Sequence, residues 1–473
     1  MLAAASLLSC CTREETVIVN DPSPELSQVV RRNLSINNWI WDIMSEVYYW
    51  KESFPADPDE LNLEQGYSSF MENLIDPEDE YSYYAVQFET TGSDRTDVDT
   101  TMGFSYVTGE FSNRQGTYFV VIEFTYPGSG AWEAGLRRGD IILEINGMPI
   151  TQDNYMDLFN LKSYQVTLGR YFPDYNYIAP TSITTLNAKS YKPWPVLLAK
   201  QIGTVGDKMV GYLAYGAFNS GVDRAFNESL DYYMDQLASK GVKVLILDLR
   251  YNRGGDLGAA QYLASCLAPQ WARESHAVLV NMVWNPYLNN LFKSVQGESS
   301  DYLNIKFLDY TGHLDLEALY ILTTGRTASA SELLIAGLKP YLDVSTVGSK
   351  TYGKYHGLYK FVYDGEFKSS SWAIAPVVNR YRNIKGEPGQ AGGIPADIPA
   401  EESLLLGHPL GSTDDPTIVS VLNRIAGISK SGSDGPAFYP PGFHWIREDS
   451  RKPGYNLILN GTLDLSHPPE KTQ

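Results

Sequence analysis

Two short segments hold residue types that could make and break an acyl bond. Thr327-Ala328-Ser329-Ala330-Ser331-Glu332 lies between a strand-like run, Leu319-Tyr320-Ile321-Leu322, and a helical run from Ser331 to Leu338. A serine at such a turn faces the N–H groups of the helix N-terminus, which stabilise negative charge developing on a carbonyl oxygen. Ser329 with Glu332 three residues later is equally a capping box, and caps far outnumber nucleophiles, so alone this segment reads as a cap. The second segment, Val347-Gly348-Ser349-Lys350-Thr351-Tyr352-Gly353-Lys354, ends in a lysine between Tyr352 and Tyr355. A lysine acts as a general base only when its amine is neutral, so its pKa must fall by roughly 3, about 4 kcal/mol. Burial against aromatic rings and the positive end of a helix dipole both act in that direction. His356 is a rival base, because residues 354 and 356 share a face in an extended strand.

A third segment, Asp248-Leu249-Arg250-Tyr251-Asn252-Arg253-Gly254-Gly255, follows a buried strand-like run from Val242 to Leu249. Paired glycines at a strand end let the backbone approach a ligand and leave N–H groups available. A plain turn with a charged rim, in which Asp248 and Arg250 pair with each other or cap nearby backbone, is the alternative.

The elements that must position these residues are legible in outline. At 473 residues, two or three domains are expected. Ile36, Ile40, Ile43, Val47 and Trp50 recur at steps of three and four, predicting one apolar helical face. Residues 34–97 thus read as a small helical domain behind a Pro-containing tether at 12–33. Within 98–191, Gly128-Ser129-Gly130-Ala131, Ala134-Gly135-Leu136, Gly139-Asp140-Ile141-Ile142-Leu143 and Ile145-Asn146-Gly147 follow one another. This pattern resembles a PDZ domain, with a short helix ending at glycine, a strand and an Asn-Gly hairpin. Such domains bind extended peptides by adding a strand and hold the terminal carboxylate in backbone N–H groups. The corresponding loop would be Gly103-Phe104-Ser105-Tyr106, whose alternative is an ordinary hairpin bend. From 192 to 428, strands alternate with helices, which predicts a layered α/β domain with a largely parallel sheet. Residues 429–473, rich in Pro, Gly, Ser and charge, read as an appendage or loose tail.

Composition narrows the partners. With 56 acidic against 37 basic residues the formal charge is −19, which argues against nucleic acid and against attraction to anionic lipid. Three cysteines are too few for a disulfide framework, and no Cys/His cluster has zinc spacing, so no metal is expected. Cys266, in an apolar run, reads as a small buried hydrophobe. Leu7-Leu8-Ser9-Cys10 after a short apolar stretch resembles a bacterial lipobox. On that reading residues 1–11 are a signal peptide and lipidation site, Cys10 is acylated, and the protein is anchored in the cell envelope.

Taken together, the order and spacing of these motifs resemble the C-terminal processing peptidases, or tail-specific serine proteases. That family combines a PDZ domain with Asp-Leu-Arg-x-Asn-x-Gly-Gly, Thr-Ala-Ser-Ala-Ser-Glu and Gly-Lys segments in this order. The resemblance covers roughly residues 98–425, and Trp39-Ile40-Trp41-Asp42-Ile43-Met44 is similar to the N-terminal domain of Bacteroides members. It implies a crotonase- or Clp-like layered α/β core, a PDZ domain and a small N-terminal helical domain. It further implies Ser329 as nucleophile and Lys354 as base, 25 residues apart. Ala330 and a donor from Gly254-Gly255 would hold the oxyanion, without any cofactor, acting on protein substrates with free C-termini. One departure stands out: Leu358 occupies the position where the family often carries a glutamine that orients the lysine. Thr351 or Tyr352 would have to compensate. The departure favours a rival reading, a catalytically inactive peptide-binding surface protein; a second rival is an esterase using Ser329 and His356.

Overall fold

The computed structural model describes residues 27–86, 98–111, 114–175, 177–309, 312–367, 372–402, 404–428, 443–446 and 457–458. Cys10, the lipobox-like segment and most of 429–473 lie outside the described residues.

The predicted apolar stripe forms a helix, Gln28–Val47, with Ile36, Ile40, Met44 and Val47 buried. It starts inside the segment expected to be tether, because the Ser27 side chain accepts from the Val30 N–H and caps it. A second helix, Tyr67–Leu74, buries Phe70, Met71 and Leu74 against the first. This N-terminal part is sewn into the rest of the chain. Strand Tyr83–Val86 pairs antiparallel with Trp372–Ala375, and the Tyr49 N–H donates to the Val377 carbonyl at 2.9 Å.

The PDZ-like region folds as six strands of a seven-stranded antiparallel sheet. Its Asn146-Gly147 turn, with φ of 52° and 71°, joins strands Ile141–Ile145 and Met148–Thr151 as the primed hairpin requires. Phe443–Trp445, from the segment expected to be a loose tail, adds antiparallel to the outer edge of strand Phe104–Phe111. Leu457–Ile458 pairs with His356–Leu358 in another sheet. The polar composition of this tail concealed two short strand-forming stretches, each stabilised by an edge supplied by another domain.

The central sheet runs Ile398–Pro399, Val344–Gly348, Ala318–Thr323, Val244–Asp248, Lys208–Tyr215 and Val196–Val205. All neighbours pair parallel except the last two. Val244–Asp248 is buried at every position, as expected for a parallel strand covered on both faces. Leu245, Leu247, Leu319 and Ile321 face helices that supply Leu230, Met234, Leu263, Leu333 and Leu334. Val244, Ile246 and Leu322 face helix Pro416–Ile425 through Ile418 and Val421. The three segments singled out for chemistry therefore all leave the carboxyl ends of adjacent parallel strands, where open α/β sheets place their sites.

Candidate active site

Ser329 sits at the turn before helix Ala330–Leu338 with φ 60° and ψ −112°. A non-glycine residue there is strained by about 1–3 kcal/mol, and such strain clusters at functional sites. Only the glutamate half of a capping box forms: the Glu332 carboxylate accepts from the Ser329 N–H at 2.9 Å. The buried Ser329 Oγ has no hydrogen-bond partner among the described residues. A hydroxyl desolvated without a partner costs stability, which a simple cap would not need.

Glu332 also binds the lysine segment. Its Oε1 accepts from Thr351 Oγ1 at 2.5 Å and from the Gly353 N–H at 2.8 Å, while Oε2 accepts from the Lys354 N–H at 2.8 Å. One buried carboxylate thus fixes the backbone of both Ser329 and Lys354. Burial raises its pKa to about 7, against the lowering effect of those donors. Sequence reading assigned Glu332 only to a cap; its contacts 19 to 22 residues ahead had no local signal. Thr351, considered as a holder of the lysine, spends its hydroxyl on Glu332 instead.

The Lys354 side chain is fully buried, and desolvation brings its pKa down to about 7, opposed by the charges of Asp79 and Glu332. Its Nζ lies 4.8 Å from the centroid of the Tyr81 ring. The rival base, His356, is engaged otherwise. Its Nε2 accepts from Arg380 Nε at 3.0 Å, which places the ring proton on Nδ1 and leaves no lone pair for base chemistry. Burial and the Arg380 charge push its pKa down to about 3.

The Asp248–Gly255 segment packs directly on the serine turn. The Asn252 carbonyl accepts from the Ala328 N–H at 3.1 Å and from Ser331 Oγ at 3.0 Å. Gly254, at φ 105°, lies so close that a Cβ there would sit 2.8 Å from Ser329 Cβ and 3.1 Å from the Ala330 nitrogen. Only glycine fits. The Gly254 N–H, however, donates to Asn252 Oδ1 at 2.9 Å, which corrects its assignment as a ready oxyanion donor. Gly255 N–H forms no hydrogen bond among the described residues. Asp248 and Arg250 do pair, at 2.6 Å, and Arg250 also binds Asp415 at 2.8 Å in a fully buried cluster.

The PDZ-like loop is tied to this segment. Gly103, at φ 76°, precedes strand Phe104–Phe111, and its carbonyl accepts from Ser129 Oγ at 3.1 Å. Phe104 and Tyr106 pack with Phe159. Arg253, missed by sequence reading, donates to Ser105 Oγ at 3.1 Å, to the Tyr106 carbonyl at 3.2 Å and to Glu123 at 3.1 Å. The residue next to Gly254 therefore touches strand Phe104–Phe111.

Comparison with known proteins agrees with this architecture. The sequence matches Peptidase family S41 over residues 209–400, the Peptidase S41 N-terminal domain over 35–83, and a PDZ domain over 122–159. It is 26% identical over 300 residues to the chloroplastic C-terminal processing peptidase of Tetradesmus obliquus, covering 60% of this chain and 58% of the relative. Against the chloroplastic carboxyl-terminal-processing peptidase 1 of Arabidopsis thaliana it is 24% identical over 275 residues, 57% of this chain and 50% of the relative. The chain thus spans little more than half the length of these relatives. A crystal structure from Bacteroides fragilis NCTC 9343, assigned to the S41 proteases, superposes with a TM-score of 0.68 at 27% identity, covering 83% of this chain and 98% of that one. With its N-terminal domain, PDZ domain and α/β protease core, the chain belongs to peptidase family S41.

Proposed function

We propose that the protein is a serine endopeptidase of the C-terminal processing type, working through a Ser329–Lys354 dyad. The observation that carries this reading is that one Glu332 carboxylate anchors the backbone of both Ser329, whose buried hydroxyl has no partner among the described residues, and Lys354, whose buried amine has its pKa lowered to about 7. Neutral Lys354 takes the Ser329 proton as Oγ attacks the peptide carbonyl. The tetrahedral oxyanion is held by the Ala330 N–H and by the Gly255 N–H. Protonated Lys354 then returns the proton to the leaving amine, and water, deprotonated by the same amine, releases the acyl group. Each oxyanion donor is worth about 2.7–4 kcal/mol of transition-state stabilisation. In this scheme the PDZ domain presents extended polypeptide with a free C-terminus at the start of strand Phe104–Phe111, short of the part that Phe443–Trp445 occupies, with Gly103, Phe104, Ser105 and Tyr106 as the carboxylate loop. The lipobox-like Cys10 supports a lipid-anchored protein of the cell envelope. The decisive comparison is proteolysis of an unstructured protein by the native chain and by Ser329→Ala. The substitution is expected to abolish cleavage while leaving the thermal transition in place, and equal cleavage by both would refute the assignment.

An inactive peptide-binding role draws support from the engaged Gly254 N–H and from Leu358. A fluorophosphonate probe separates the two readings, because it labels Ser329 only when the dyad is live.

A further inference from the structure

We propose that the turn Asp79–Ser82 of the N-terminal domain positions the Lys354 amine: the Tyr81 ring carries its Nζ, and the Asp79 carboxylate holds Tyr81 in place. This rests on the Ser329–Lys354 reading. Position 358, where the family often has an orienting glutamine, is a buried leucine that can neither donate nor accept a hydrogen bond. The N-terminal domain supplies what that position lacks. Lys354 Nζ stands 4.8 Å from the Tyr81 ring centroid, within cation–π range, and Tyr81 Oη donates to the Gly353 carbonyl at 3.4 Å.

Tyr81 is itself held tightly. Asp79 Oδ1 accepts from the Tyr81 and Ser82 N–H groups at 2.8 and 2.9 Å, and Oδ2 accepts from Tyr48 Oη at 2.8 Å. Tyr48 Oη in turn accepts from the Asp76 N–H at 2.9 Å. Ser82 Oγ accepts from the Val377 N–H at 2.8 Å, docking the turn on the strand beside His356–Leu358. Asp79 is almost fully buried, and the same carboxylate that holds this turn raises the pKa of the Lys354 amine through its charge. The titratable groups facing the amine are Asp79 and Tyr81 from this turn, Glu332 from the helix, and His356, backed by Arg380, from the following strand. Asp79 and Glu332 favour the ammonium. The turn therefore keeps Lys354 basic enough to accept a proton while holding it at one place.

The test is the pH dependence of kcat/KM on an unstructured protein substrate for the full chain and for Asp79→Asn, Tyr81→Leu and Tyr81→Phe. The amide introduced by Asp79→Asn can keep the two backbone contacts through its oxygen, so the change removes mainly charge. Asp79→Asn is expected to move the acid limb to lower pH by about half to one, with a lower plateau. Tyr81→Leu is expected to lose about tenfold in kcat with KM changed less than twofold, and Tyr81→Phe to restore most of that loss. Native limb and kcat in both Asp79→Asn and Tyr81→Leu would overturn the proposal. If Asp79→Asn does not fold, the Tyr81 pair decides on the same kcat criterion. If Lys354→Ala cleaves like the native chain, it is the dyad reading that fails instead.

Discussion

At the scale of the residue, Lys354 is where the forces conflict. Burial strips water from its ammonium, while Asp79 and Glu332 pull the charge back, and burial wins. The unfolded side chain titrates near 10.5 and the folded one near 7. The folded pKa is depressed, so the stability of the neutral amine is present in full above 10.5 and is lost as pH falls to 7. Below that, folding must bury an ammonium at a cost of about 5 kcal/mol. Lys354→Met is therefore expected to abolish proteolysis yet stabilise the fold below pH 7, by a margin that shrinks as pH rises from 7 to 10.5. Chemical denaturation at pH 6, 8 and 10 measures this; a pH-independent difference would place the amine in water. The lysine was recognisable in sequence from its flanking tyrosines, but the burial that tunes it was not, because Tyr81 and Asp79 lie more than 270 residues away.

At the scale of the element, three loops leave the carboxyl ends of neighbouring parallel strands, and Glu332 binds two of them. When ionised, its carboxylate is an acceptor for four donors: the N–H groups of Ser329, Gly353 and Lys354 and the hydroxyl of Thr351. An amide of the same shape would turn an N–H₂ toward some of those donors. Glu332→Gln is thus expected to lower unfolding free energy by roughly 2–5 kcal/mol and to reduce cleavage at least as strongly as it reduces stability. Unchanged denaturation midpoint and rate would show that the carboxylate is dispensable. The strand-to-helix alternation and the Asn146-Gly147 hairpin were legible because they rest on local chemistry, periodicity and positive φ. The engagement of the Gly254 N–H by Asn252 was not, since a glycine pair alone does not show which N–H is occupied.

At the scale of the whole molecule, the parts are joined at the chemistry. The N-terminal domain reaches Lys354 through Tyr81, and Arg253 ties the turn beside Ser329 to the PDZ-like strand. Segment 443–446 pairs with that same strand farther along its edge. Motif order in the sequence indicated which domains are present; their contacts depend on single residues such as Arg253, whose type alone suggests only a charged rim. One measurement bears most directly on the joined machinery, the rate at which a fluorophosphonate modifies Ser329 as a function of pH. The expected rate climbs with a midpoint near 7, the titration of a buried amine, and collapses in Lys354→Ala. A rate that is flat across pH 5–9, or that survives the loss of the lysine, would contradict a hydroxyl activated by its neighbour.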